Sequence, residues 1–208
     1  MTATAAHRPA RLTRKGLRIV LLSYSDVLPR TWAATAGRAG VAPAKGPGAR
    51  AQMRSDIHAA RRTSDVVIVA IHWGEQLARR SSRDQRALGR LLVDWGADVV
   101  LGHHPHVLQG IEVRGGKVIA YSLGNFVSLS RTTEQRETII LRLEVEAPHR
   151  ISAARAIPVS IRAGQPVPLD ILSGRKIIDR IRSLSLALGT MVRGDGRILL
   201  PAPSGTRP

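Results

Sequence analysis

The 208-residue sequence contains no cysteine. Disulfides, thiolate metal sites and a cysteine nucleophile are excluded, and the redox compartment stays open. Aromatic residues make up only 3% of the chain. The core must therefore be built from Val, Ile, Leu and Ala, and the stacking platforms that single-strand nucleic-acid binders use are nearly absent. No apolar run approaches the roughly 20 residues of a membrane-spanning helix. The basic start MTATAAHRPARLTRKG lacks the apolar stretch of a secretory signal. With neither signal nor span, a cytoplasmic location is the default expectation.

Acidic residues are also few: 15 Asp and Glu stand against 32 Lys and Arg, for a formal net charge of +17. Residues 1–62 carry 12 basic side chains against Asp26 and Asp56, residues 63–147 carry ten of each sign, and residues 148–208 carry ten against three. The surplus thus lies on the flanks of a balanced centre. It reads either as attraction to a polyanion or as a solvated surface rich in arginine. A specific nucleic-acid interface is not expected.

Local pattern divides the chain. Residues 1–16 are small, polar and basic without periodicity, and read as a disordered basic tail. LRIVLLS at 17–23 reads as a short buried strand. Gly, Ala and Pro dominate 36–50, which predicts a mobile loop, and a helix is expected over about 50–62. DVVIVAI at 65–71 is a continuous β-branched strand. Ser82 with Gln85 has the spacing of a capping box. Leu88, Leu91, Leu92 and Trp95 then recur at helical spacing, and Gly96 ends the helix. A strand begins at Val99, giving a βαβ unit that favours parallel pairing. Gly115-Gly116 between two short apolar runs predicts a hairpin. Further strands are expected at 137–146 and 151–161, and an amphipathic helix at 171–187. A main domain at 17–190 and a flexible tail at 191–208 complete this division.

Four histidines fall at strand ends. His72 ends the first central strand in AIHWGE, and His103, His104 and His106 follow the next in LGHHPHV. Ligands of open α/β sheets gather at the carboxyl ends of parallel strands. Pro105 pushes His104 toward extended geometry, so His104 and His106 are expected on one side and His103 on the other. Neutral imidazoles suit a divalent metal, and a metal lowers the pKa of bound water. Glu75 reads as a general acid/base, as a carboxylate behind the ligands, or as a solvated loop acid. Asn125 in SLGNF reads as a phosphate or metal contact, or as a turn residue. His7, His58 and His149 carry no assigned role.

HWGE, GHHPHV and YSLGNF, in this order across residues 63–127, resemble the C-terminal motif block of the CapA family of poly-γ-glutamate (capsule) synthesis proteins. Weaker similarity reaches back to LRIVLLSYS and forward through GQPVPLD. That family belongs to the calcineurin-like metallophosphoesterases. The resemblance therefore implies an α/β layered sandwich with a divalent metal (Mn, Zn or Fe) at the strand ends. It implies His72, His104 and His106 as ligands, with His103 ranked below them, and a phosphoester or acidic polymer as substrate. Relatives are often membrane-associated or extracytoplasmic.

The chain departs from the family upstream. Family members begin with a GD-type motif, an Asn/Glu segment and an NNH-type motif. The 16 residues before LRIVLLS contain no Asp, Glu or Asn. The expectation is the C-terminal half of such a domain, lacking the N-terminal strands, with an incomplete metal site and no bridging carboxylate. Alone it would be a weak or inactive phosphoesterase, needing a partner chain that supplies the missing half. Two alternatives remain: a non-enzymatic remnant or accessory chain, and a basic polyanion-binding module.

Overall fold

The computed structural model describes residues 2–130, 132–146 and 148–201. In chain order the elements are α1 (Ala3–Ala6), β1 (Ala10–Arg14), β2 (Leu17–Ser25), α2 (Ala49–Thr63), β3 (Val66–His72), α3 (Arg83–Asp94) and β4 (Val99–His103). There follow β5 (Ile111–Arg114), β6 (Lys117–Ala120), α4 (Thr133–Arg136), β7 (Glu137–Glu146), β8 (Arg150–Arg162), β9 (Gln165–Pro168), α5 (Arg175–Leu186) and β10 (Arg197–Ile198).

The central sheet has the order β1-β2-β3-β4-β6-β5. Its middle strands β2, β3, β4 and β6 are parallel, and β1 and β5 close the edges antiparallel. Successive side chains of a strand face opposite sides. On β3 this alternation sends Val67, Val69 and Ile71 into one core, where Met53 and Ile57 of α2 and Leu88 and Leu92 of α3 meet them. The opposite face of β4 and β6, with Val99, Val118 and Ala120, packs against Ile177, Ile178 and Ile181 of α5 and against β7 and β8. A second sheet, β10-β8-β7 with β9 also on β8, forms this outer layer. The result is a mixed α/β layered fold.

The expected βαβ unit is present: β3 and β4 are parallel neighbours, with Ile68 opposite Val99 and His72 opposite His103. The linking helix starts as its sequence dictates. Ser82 accepts from the Gln85 N–H, and the Gln85 side chain returns the bond to the Ser82 N–H. Gly115 and Gly116 both take positive φ, 54° and 75°, in the two-residue turn joining β5 to β6, the geometry that makes glycine the favoured residue there.

Other expectations are corrected. Residues 1–16 are not a featureless tail: β1 pairs with β2 over five residue pairs although all its side chains are exposed. The ladder of backbone hydrogen bonds holds it, and that leaves no hydrophobic pattern to read. Residues 36–50 form bridges to β2 and to the segment 33–35, and Ala42 and Ala44 are buried in the first core. Small residues there allow close approach rather than looseness. In the expected tail at 191–208, Val192 and Ile198 are buried, and β10 joins β8; residues 202–208 lie outside the described residues. The terminal helix is shorter than expected, beginning at Arg175 after Gly174.

Asp98, 1% exposed, ties the bottoms of β3, β4 and β6 to the β7–β8 turn. It accepts from Arg61 at 3.1 Å, Lys117 at 2.5 Å, the Val67 N–H at 2.8 Å and His149 Nδ1 at 2.9 Å. Burial pushes its carboxyl pKa up, but these donors together prevail and hold it below the usual carboxylate range. Its contribution is therefore fully present above the ordinary carboxylate pKa of about 4 and is lost as pH falls through the lower folded value. Replacing Asp98 with Ala leaves Lys117 and Arg61 facing each other without an anion. Urea denaturation at pH 7 is expected to show a loss of about 3 kcal/mol. The acid-induced fall in stability of the wild type below about pH 4 is expected to flatten in the variant.

Candidate metal centre

The site sits where the parallel strands end. The pairing of β3 with β4 places His72 beside His103, and Ser25 of β2 stands opposite His72 on the other side. Beyond His103 the chain leaves the sheet. Gly102 makes that exit possible: a Cβ there would lie 2.0 Å from the Tyr121 carbonyl oxygen and 2.5 Å from Trp73 Nε1. The buried Trp73 indole N–H donates to that same carbonyl at 2.9 Å. Strand β4 is thus wedged against the segment after β6, and the histidine loop starts from a fixed point.

The loop itself does not follow the extended path expected from Pro105. His104 and His106 have φ of 101° and 60°, the left-handed half of backbone space that non-glycine residues rarely occupy. The chain bends instead, and the Pro105 carbonyl accepts from the Leu77 N–H at 2.8 Å. Leu77, also at positive φ (62°), belongs to the turn that carries Glu75. Two strained turns brace each other, a pattern found where side-chain placement outweighs backbone comfort.

The bend gathers the imidazoles. The ring centroids of His72 and His104 lie 4.6 Å apart, and those of His104 and His106 lie 6.0 Å apart. Two imidazoles on one zinc, with Zn–N of about 2.0–2.1 Å, have centroids about 5 Å apart. His103 is the register partner of His72 and lies close enough to act on it electrostatically, while backbone groups of Leu101 and Ile71 also bear on its ring. His106 is oriented from behind. Asn125 donates through Nδ2 to the Gln135 carbonyl at 3.0 Å and to Ser130 Oγ at 3.3 Å, leaving its Oδ1 to face His106 Nδ1 at 2.8 Å. An oxygen in that place requires a proton on Nδ1, so the Nε2 lone pair is free. Glu75 is exposed on its turn, and its carboxylate makes no hydrogen bond among the described residues.

Burial lowers the pKa of His72, and the neighbouring His104, His103 and His106 lower it further. Burial and then His106 lower that of His104, and burial outweighs the favourable backbone for His103. Neutral imidazoles are the form that binds metal, so the donor chemistry fits a divalent ion. Among the described residues, however, no group of three or more His, Cys, Asp or Glu side chains is arranged as a ready metal cage.

Two supports were not read from the sequence. Gln109 is fully buried, takes a bond from Gln85 Nε2 at 3.1 Å, and donates to the Ala78 and Arg80 carbonyls at 2.8 and 3.2 Å. It therefore anchors the Glu75 turn to the start of α3. Its position three residues past His106 was the available signal. The orienting role of Asn125 is the second, since it reaches His106 across a loop.

Comparison with known proteins agrees with the motif block. The sequence model of the family described as bacterial capsule synthesis protein PGA_cap matches residues 1–130. The chain is 36% identical over 165 residues to the PGA biosynthesis protein CapA of Bacillus subtilis, covering 78% of this chain and 42% of that protein. It is 30% identical over 154 residues to the capsule biosynthesis protein CapA of Bacillus anthracis, covering 74% and 37%. A probable polyglutamine synthesis accessory protein of Mycobacterium tuberculosis is 32% identical over 130 residues, covering 59% and 34%. The chain thus spans less than half the length of each of these relatives.

The tautomer of His106 is directly observable. In 15N-labelled protein at neutral or higher pH, its Nδ1 is expected to carry the proton. Asn125→Ala is expected to give a mixture of tautomers and to lose about 1 kcal/mol of stability. A wild-type ring protonated on Nε2 would contradict the arrangement.

Proposed function

We propose, for a chain that belongs to the bacterial capsule synthesis protein family, a role in making a capsule polymer of the poly-γ-glutamate type, with His72, His104 and His106 as a divalent-metal site. The observation that carries the metal reading is the orientation of His106: Asn125 holds Nδ1, which leaves the Nε2 lone pair free, and the His104 ring lies 6.0 Å away. Metal-ligating histidines are held in this way by a hydrogen bond on the other nitrogen. His103 is ranked below the other three in this reading. The phosphoesterase-like chemistry and the calcineurin-like ancestry belong to this proposal as well.

A bound Mn, Zn or Fe would polarise a phosphoryl or carbonyl oxygen and acidify water. The chain's own residues bind and orient. Asn125 fixes His106, and Gln109 fixes the turn that bears Glu75. Glu75, exposed on that turn, is the candidate general acid/base of this reading. No carboxylate is assigned beside the three rings in this reading. Two metals held by a bridging carboxylate clamp both the attacking and the leaving oxygen of a phosphoester. Three imidazoles alone lack that clamp, so this chain by itself is proposed to be slow or inactive as a phosphoesterase. The same absence favours a second reading, an accessory chain that keeps the fold and the metal but performs no turnover.

Calorimetry with Mn or Zn tests the site. One metal per chain is expected, with about a hundredfold loss of affinity for His104→Ala/His106→Ala and a loss of about ten- to a hundredfold for Asn125→Ala. Equal binding by all three proteins would refute the ligand assignment. Turnover of a generic phosphoester that the double variant abolishes would favour the enzyme reading. Polymer yield in cells carrying the double variant tests the capsule role separately, and an unchanged yield would contradict it.

A further inference from the structure

The outer face of the second sheet carries a feature that the metal site does not use. Arg142 on β7 is the register partner of Arg155 on β8, and Arg155 is the register partner of Arg197 on β10. Register partners on adjacent antiparallel strands share a face and stand about 5 Å apart. Three exposed guanidinium groups therefore form a row across three strands. Like charges directly opposite each other in a sheet are destabilising.

Acids relieve the row only in part. Glu144 approaches Arg142 at 3.6 Å, with both side chains largely exposed. Asp195 pairs with Arg197 at 2.5 Å, and its backbone carbonyl accepts from Arg155 Nε at 3.1 Å. Arg155, in the middle, makes no ion pair at salt-bridge distance among the described residues, and the Asp195 carboxylate acts on it only through space. Arg193 follows at the turn before β10, where its N–H donates to the Arg197 carbonyl. All four arginines line a cavity of about 980 Å³ that also takes in Lys117 and Arg150. Glu144 is the single acid in that lining, which includes His149 but no Phe, Tyr or Trp. None of the strand-end histidines lines it either, so this is a second place on the molecule.

We propose that the row Arg142–Arg155–Arg197, extended by Arg193, is a binding strip for an extended polycarboxylate chain. Guanidinium forks match carboxylates bidentately, and a linear polymer presents them in series as the row does. Single-stranded nucleic acid would call for stacking partners; the lining has no Phe, Tyr or Trp, and its His149 is held by the buried Asp98. The choice of a polycarboxylate over other polyanions rests on the capsule reading above.

The experiment measures anisotropy of fluorescent poly-γ-glutamate with the whole chain at low salt. Arg142→Gln/Arg155→Gln/Arg197→Gln is expected to weaken binding about tenfold or more, and added salt to weaken it in the wild type. The control Arg50→Gln/Arg54→Gln/Arg62→Gln, on the exposed side of α2, removes equal charge and is expected to change affinity less than about twofold. The thermal midpoint of the strip variant is expected to match or exceed that of the wild type, since repulsion is relieved. An equal loss in the α2 control would overturn the strip. So would undiminished binding by the strip variant, a strongly lowered midpoint, or equal affinity for a single-stranded oligonucleotide. Such a failure leaves the capsule role standing, because that role is judged by polymer yield with the histidine variant.

Discussion

The register between β3 and β4 is the constraint on which the site depends. Pairing Ile68 with Val99 places His72 beside His103 four residues later. A slip by one residue would turn one strand's side chains to the opposite face, destroying both cores and separating the imidazoles. Nonpolar packing enforces the register from both faces, and Asp98 pins it from below through the Val67 N–H. At the top, the close approach of Gly102 to the Tyr121 carbonyl and the Trp73 indole fixes where β4 ends. The HWGE and GHHPHV motifs are therefore partly structural. Their tryptophan and first glycine interlock the strands, and their histidines occupy the space that interlock creates.

Local chemistry explains what could be read from the sequence. The Ser82–Gln85 box, the Gly115-Gly116 turn and the β-branched run before His72 each act within a few residues, so their consequences follow from adjacent letters. Strand β1 could not be read in this way, because it is held by backbone bonds to β2 while all its side chains face water. Strand β10 is two residues long and exists only because β8 offers it an edge. The arginine row was equally hidden. Its members are 13 and 42 positions apart in sequence and become neighbours only through cross-strand register.

At the site, candidate residues could be named from the sequence, and the path of their loop could not. The rings of His72 and His104 lie 4.6 Å apart and those of His104 and His106 6.0 Å apart. An extended segment was expected there, yet the observed loop has positive φ at His104 and His106. The cost of such backbone is borne by the bond from Leu77 to the Pro105 carbonyl and by the buried Gln85–Gln109 pair beneath it. Asn125 completes the arrangement from a third segment. Residue type announced candidates for ligation, whereas orientation arose from contacts between loops that the linear sequence does not place together.

The account turns on the claim that the three strand-end imidazoles hold one metal. A crystal of the chain grown or soaked with manganese, measured at a wavelength where manganese scatters anomalously, addresses it most directly. The expected result is one strong anomalous peak bonded to nitrogens of His72, His104 and His106, with His106 bound through Nε2 and His103 outside the coordination sphere. A peak held by other residues, or a map without a peak at these rings in manganese-saturated crystals, would contradict it.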